Sequence, residues 1–359
     1  MIYVYAFGVV AAIVAGARLR DPRAVRALQI GGTIALLAAP WIVRNDASLN
    51  ALVDIGLYAM LALGLNITVG FAGLLDLGYA AFFAIGAYTY ALLASPQFGL
   101  HVPFWALLFV AAALAALFGL LLGTPTLRLR GDYLAIVTLG FGLIVPQIFQ
   151  NLTQYTGGPN GVSALDIPSF FGRSFGSSAM PYYFVTLAAL AVVLVAVNNV
   201  RDSRLGRAWM AIREDELAAR HAGINATAVK LAAFSLGAGI AGLTGVIFAA
   251  KLSLVSPDLF GFQVSVLILS MIVLGGMGNV GGAVVGAIVL ALVNGTVLPQ
   301  INGLVNGALH THLDLTNYSF FIYGALLVVL MLFRPEGVLP NRERRAELRT
   351  APPAESGIA

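Results

Sequence analysis

Few side chains in this sequence could do chemistry, and their distribution limits what that chemistry is. There is no cysteine, which removes thiolate and disulfide chemistry. No G-x-x-x-x-G-K-S/T stretch occurs, so the chain lacks the loop that cradles nucleotide phosphates. His310, His312 and Asp314 alternate as metal ligands on a strand do. They stand in a loop beside an apolar segment, however, and read as solvated, so no metal site is expected. Two carboxylates, Asp54 and Asp76, fall within apolar segments. A carboxylate at mid-bilayer costs about 2.5–3.5 kcal/mol, so Asp76 needs water, a partner or a helix N-terminus. Its simplest role is to cap a helix beginning near Leu77. No series of Asp, Glu, Lys and His runs through the apolar segments. That argues against a proton-coupled carrier and against a converging catalytic site, and no enzyme activity is expected.

What remains is backbone chemistry at glycine. The chain has 40 glycines in 359 residues, more than the roughly 7% of an average protein. Most are expected to let helices approach closely in a membrane. Two clusters differ: Leu65-Asn66-Ile67-Thr68-Val69-Gly70-Phe71-Ala72-Gly73-Leu74-Leu75-Asp76-Leu77-Gly78, and Leu274-Gly275-Gly276-Met277-Gly278-Asn279-Val280-Gly281-Gly282. Each interrupts a pair of apolar spans, one in each half of the chain. Paired glycine-interrupted segments point to a transport site in a repeat-built carrier, because a broken helix frees backbone N–H and C=O groups to meet a polar solute. Two tight turns between adjacent helices would produce the same pattern.

The elements that position these clusters follow from composition. The chain is 59% hydrophobic and 10% charged, with a mean hydropathy of +0.90. A soluble domain carries roughly 25% charged residues, so this is an integral membrane protein. The apolar runs are continuous and do not alternate, which favours helices over barrel strands. Eleven spans are expected, at about 1–17, 28–43, 51–70, 74–95, 103–123, 132–151, 181–199, 229–250, 262–276, 281–299 and 317–333. The first, second and ninth are short, and ten spans result if one is interfacial. The expected fold is an all-α polytopic membrane protein with two glycine-interrupted helix pairs in a pseudo-repeated core.

Orientation comes from Lys and Arg. One set of alternate loops and the C-terminal tail hold 17 of them, from Arg18 to Arg349, against Arg44, Arg173 and Lys251 on the other side. The basic side faces the cytoplasm, which puts the N-terminus outside and the C-terminus inside. The net charge of +4 therefore reflects topology and implies no nucleic acid partner. The first segment has its charges after the apolar run, so it reads as a retained helix and not a signal peptide. Residues 1–45 are expected to add N-terminal membrane helices, 46–333 to form the main membrane domain, and 334–359 a basic cytoplasmic tail.

The inner loop 200–228 is charged. From Arg204 to Ile224 it reads as a short helix with Leu205, Trp209 and Ile212 on one face. Glu216 and Arg220 form an i,i+4 pair, and Gly223 supplies a stop. Such a helix suits a groove on a partner protein, or equally the membrane surface.

Several segments together resemble the LivM-type permeases of bacterial branched-chain amino-acid ABC importers. They are LGLNITVGFAGLLDLGYAAFFAIGAY from Leu63, LRLRGDYLAIVTLGFG from Leu127, TGGPNGV from Thr156, LGRAWMAIREDELAARHAGIN from Leu205, SPDLF from Ser256, VLGGMGNVGG from Val273 and FRPEGVLP from Phe333. The resemblance covers about residues 50 to 340. It implies a transport subunit in an inner membrane, working with two ATPase subunits, a LivH-like second permease and an external binding protein. ATP and magnesium would sit on the partner subunits, with no cofactor on this chain. The inner loop would be the coupling helix, with Glu216, Ala218, Ala219 and Gly223 at motif positions and Arg207, Arg213, Glu214 and Asp215 beside them. The pathway is expected to use Asn66, Gly70, Gly73, Asp76, Thr138, Gly275, Gly276 and Gly278. Leu143 stands where the family often has Glu, so no carboxylate is available there. A related urea or short-chain amide permease is the alternative substrate class; a stand-alone carrier or channel lacks the expected membrane carboxylates.

Overall fold

The computed structural model describes residues 38–41, 45–96, 98–126, 132–170, 172–176 and 178–301, with isolated positions from 321 to 339. The predicted span 1–17, most of 28–43 and 317–333, the His310–Asp314 loop and nearly all of the tail lie outside the described residues.

The chain is helical where its apolar runs predicted. Helix α1 spans Asp46–Leu65 and continues through a π turn at Asn66–Phe71. It starts earlier than the apolar run because the Asn45 side chain accepts the Ala47 N–H at 3.0 Å and Asp46 suits the positive end of the helix dipole. Then follow α2 Tyr79–Leu93, α3 Phe104–Thr126, α4 Asp132–Asn151 and α5 Ala179–Asp202. Two short helices, α6 Arg204–Glu214 and α7 Glu216–His221, lead to α8 Ala226–Leu252. Helices α9 Phe262–Gly275 and α10 Val280–Leu292 complete the set, the latter extended by a π turn at Val293–Val297. Seven helical segments among the described residues are long and apolar enough to cross a membrane, so the chain is an all-α polytopic membrane protein. Helix α2 is the exception. At 1.5 Å per residue it spans about 22 Å, short of a ~30 Å hydrocarbon core.

The loops separate into two ends. Connections 72–78, 203–225 and 276–279 meet at one end, where Arg213 reaches Gly70 and Asn66 reaches Gly278. At the other, Asp166 bonds Ala94, Gln150 bonds Asp258, and Lys251 bonds Asp54. Strand β1 (Val162–Ser163) and strand β4 (Leu254–Val255) pair antiparallel there, and β2 (Ser169–Phe170) pairs with β3 (Arg173–Ser174).

Helix α1 is the inner member of the bundle: 89% of its apolar window is buried, against 28% for α3, 22% for α4 and 28% for α5. The outer helices expose Phe109, Ile144 and Val195, as lipid-facing helices do. Helix α8 crosses α2 and α3 at glycines. A Cβ on Gly86 would collide with the Gly242 carbonyl, and one on Gly242 would stand 2.5 Å from the Ala115 Cβ. Close backbone approach of this kind replaces the hydrophobic driving force that lipid does not supply.

Replacing Gly86 by Leu is therefore expected to push α2 off α8 and cost about 1–3 kcal/mol or more. The check is the apparent melting temperature of the detergent-purified protein. Gly140 has open space around its Cα, and Gly140→Ala should leave that temperature unchanged or slightly raised.

Candidate translocation and coupling site

The two glycine clusters come together. In α1 the π turn alters the order of backbone bonds: Ala72 N–H donates to Ile67 O at 3.1 Å and Leu74 N–H to Thr68 O at 2.9 Å. Asn66, fully buried, accepts the Gly278 N–H through Oδ1 at 2.9 Å, across 212 residues of sequence. The Gly70 carbonyl accepts from Arg213 Nη1 of α6 at 2.6 Å. No side chain fits at the crossing. A Cβ on Gly70 would lie 2.6 Å from the Gly278 nitrogen, and Gly278 itself has φ +80°. Gly73, at φ +68°, keeps its Cα 's missing Cβ position 2.9 Å from the Arg213 Cγ. Three elements far apart in sequence thus share one junction of Asn66, Gly70, Gly278 and Arg213.

Beyond the π turn the chain is pinned at a second point. Helix α2 begins at Tyr79, two residues later than predicted, because Asp76 Oδ1 accepts the Gly78 N–H at 3.0 Å in a turn preceding the helix. Leu77 N–H donates to Thr138 Oγ1 at 3.1 Å, and Ala80 N–H to Ser265 Oγ at 2.9 Å. Ser265 of α9 thus supplies the bond expected from Asp76. The only signal for it was one hydroxyl in the apolar run Val264-Ser265-Val266. Asp76 is buried, and its Oδ2 has no partner among the described residues.

Gly275 and Gly276 belong to the α9–α10 hairpin. Gly275 faces the Gly282 carbonyl, and its own carbonyl accepts the Leu339 N–H at 3.0 Å. Asn279 Nδ2 donates to Leu339 O at 3.0 Å, and Gly337 fills the space beside Gly276. Seven of the eight predicted pathway residues are therefore buried inside this chain, and only Gly73 is open. The seven divide among the junction, the Asp76–Thr138 pin and the hairpin. None of the eight lines the ≈ 290 Å³ cavity formed toward the opposite end.

The inner loop is two helices and not one. Asp215 is extended and caps α7, accepting from Leu217 N–H at 2.8 Å and Ala218 N–H at 3.0 Å. The apolar face of α6 turns into the chain's own bundle: Trp209 and Ile212 are buried, and Trp209 Nε1 donates to Val229 O at 2.6 Å. Neither a partner nor the membrane surface receives that face. Arg207, Glu214, Asp215, Ala218 and Gly223 are exposed, Arg213 and Glu216 half-buried. Ala219 is buried against Ile212 and Ala226. Gly223, at φ +86°, ends α7 as expected. The side chain that sequence reasoning passed over is Leu217, 60% exposed on α7.

Glu216 holds the loop to α8, accepting from Lys230 at 2.7 Å and Arg220 at 2.6 Å. Burial pushes its carboxyl up, but Lys230 and Arg220 outweigh that and hold it below its ordinary value. A lowered carboxylate stabilises the fold above its unfolded value and loses that contribution as pH falls through the folded one. Glu216→Gln should therefore destabilise the protein at neutral pH. The gap between variant and wild-type melting temperatures should close below pH 4.5, the ordinary glutamate value. A gap unchanged down to acid pH would contradict the ion-pair role.

The sequence profile of the family "Branched-chain amino acid transport system / permease component" matches residues 47–331. The high-affinity branched-chain amino acid transport system permease protein LivM of Escherichia coli K12 is 40% identical over 339 residues, covering 88% of this chain and 75% of that protein. LivM of Salmonella typhimurium is 41% identical over 316 residues, covering 82% and 70%. LivH of Escherichia coli K12 is 25% identical over 304 residues, covering 80% and 92%. No solved structure matches the chain. A profile match over most of the chain, with relatives of this identity and coverage, means that the chain belongs to the branched-chain amino acid transport permease family.

Proposed function

We propose that this chain is a membrane-spanning permease subunit of an ATP-driven importer of branched-chain amino acids, seated in a bacterial cytoplasmic membrane. The observation that carries the coupling mechanism is the bond from Arg213 of α6 to the Gly70 carbonyl of the broken helix α1. The concentration of Lys and Arg in the loop that carries α6 and α7 supports a cytoplasmic position for them. With no phosphate-binding loop in the chain, ATP is bound and hydrolysed on two separate ATPase subunits. Exposed Leu217 and Ala218 of α7 present the surface that enters a groove on one of them. A second, LivH-like permease completes the pathway, and an external binding protein delivers the amino acid.

In this mechanism, ATP binding moves α6 and α7. Arg213 passes the displacement to the α1 π turn and, through Asn66, to the α9–α10 turn at Gly278. Close-packed junctions have discrete arrangements and do not deform continuously. ATP and the loaded binding protein must each favour one arrangement over the other, or neither would shift the pathway.

The test is uptake by proteoliposomes holding the whole complex. With ATP and the binding protein, leucine, isoleucine and valine should enter. Urea entering alone would overturn the substrate, and uptake without ATP would overturn the motor. Within that assay, Leu217→Asp should lower co-purification of the ATPase subunits. Arg213→Ala should keep the ATPases bound but lower uptake about tenfold or more, since a charge-assisted hydrogen bond is worth about 1.5–3 kcal/mol. Normal uptake by Arg213→Ala would remove the junction from the coupling path.

A further inference from the structure

The end of the bundle opposite the junction holds a cavity of ≈ 290 Å³ between α1, α2, α8, α9 and the π turn after α10. Its wall on α1 runs from Asp54 through Leu57 to Leu61, positions that share one helix face and extend about 10 Å along it. The outer part is polar. Lys251 Nζ stands 2.5 Å from Asp54 Oδ1, with the lysine side chain 13% exposed and the carboxylate 46%. Asn294, carried by the π turn, faces the same space. The inner part is apolar, with Leu57, Leu61 and Phe83 all buried. π turns recur at functional positions in helices.

We propose that this cavity is a transit site for a zwitterionic aliphatic amino acid, an inference that rests on the importer reading above. Asp54 meets the α-ammonium, Lys251 the α-carboxylate, and the aliphatic side chain enters the Leu57–Leu61–Phe83 part. The charge pattern selects net-neutral ligands, because a cationic or anionic side chain would enter an apolar wall unpaired. The volume lies at the lower limit of the ~300–1,000 Å³ of ordinary ligand pockets, which suits a molecule smaller than a drug. Binding exchanges the Asp54–Lys251 pair for two new pairs. The ligand gains little net attraction and leaves readily, as a transit site requires. Lys251 also donates to Asn50 O at 3.1 Å, so the ammonium keeps a partner while the carboxylate is drawn away.

The experiment uses the full complex with its binding protein in proteoliposomes and labelled leucine and valine. Asp54→Asn and Lys251→Met should each lower leucine uptake about tenfold or more, in complexes whose assembly is confirmed by size-exclusion chromatography. The exchanged pair, Asp54→Lys with Lys251→Asp, rebuilds a salt bridge with its charges reversed and should leave uptake low. Full recovery in that variant would mean that the pair only ties α1 to α8, and would overturn the proposal. Ala291 also lines the cavity. Ala291→Leu narrows it without touching a charge, and should raise the KM for leucine more than that for valine. Equal effects on the two would likewise overturn the site. Absence of leucine uptake by the wild-type complex would strike the importer reading itself, whereas wild-type uptake matched by all these variants would strike the cavity alone.

Discussion

In hydrocarbon, every backbone N–H and C=O must find a partner within the protein. This chain interrupts its helices at the two glycine clusters, and each interruption is closed by a side chain from a distant element. Arg213 takes the Gly70 carbonyl, Asn66 the Gly278 N–H, Thr138 the Leu77 N–H and Ser265 the Ala80 N–H. The breaks are therefore where α1, α4, α6, α9 and the α9–α10 turn are joined, and not loose points. Displacing α6 without moving α1 would leave a buried carbonyl unpartnered, at a cost of about 1–3 kcal/mol. In the proposed mechanism, that cost couples α6 to the broken end of α1.

The two ends of the bundle differ in kind. The junction end is filled: Gly70 and Gly275 leave no room for a Cβ, Gly278 is held at φ +80°, and the 337–339 segment closes the hairpin from behind. The opposite end is open, with a cavity and a half-exposed carboxylate. Several helices reach both, α1 and α8 among them. Helix α1 carries Asp54 near its start, and the π turn that follows it carries Asn66 and Gly70. Helix α8 begins beside α7 and carries Lys251 in its last turn. The glycine-lined crossings of α8 with α2 and α3 are smooth surfaces of backbone and methyl groups, across which rigid helices can shift as units.

Much of the membrane architecture was legible in the sequence. Continuous apolar runs marked eight of the described helices to within a few residues, and the basic loop 203–225 lies at the end of the bundle opposite Lys251. Local chemistry also read correctly at Gly223, whose left-handed backbone ends α7. Where reading failed, a tertiary contact had replaced a local one. Asp76 bonds within its own turn, and α2 takes its first-turn partner from Ser265 on another helix. The stretch from Arg204 to Ile224 looked like one amphipathic helix because periodicity registers apolar spacing and not the extended residue at Asp215. Its apolar face was legible, but its destination was not: Trp209 turned inward to Val229.

By itself the sequence determined the class, the positions of the described spans, the two glycine-rich interruptions and the family to which the chain belongs. These depend on composition and on periodicity within one element, which act over a few residues. Only the tertiary structure decided that the breaks meet, that Arg213 joins them, and that Asp54 and Lys251 border one cavity. Those contacts span 143, 212 and 197 residues. They depend on the register in which whole helices lie against one another, and no local pattern encodes that register.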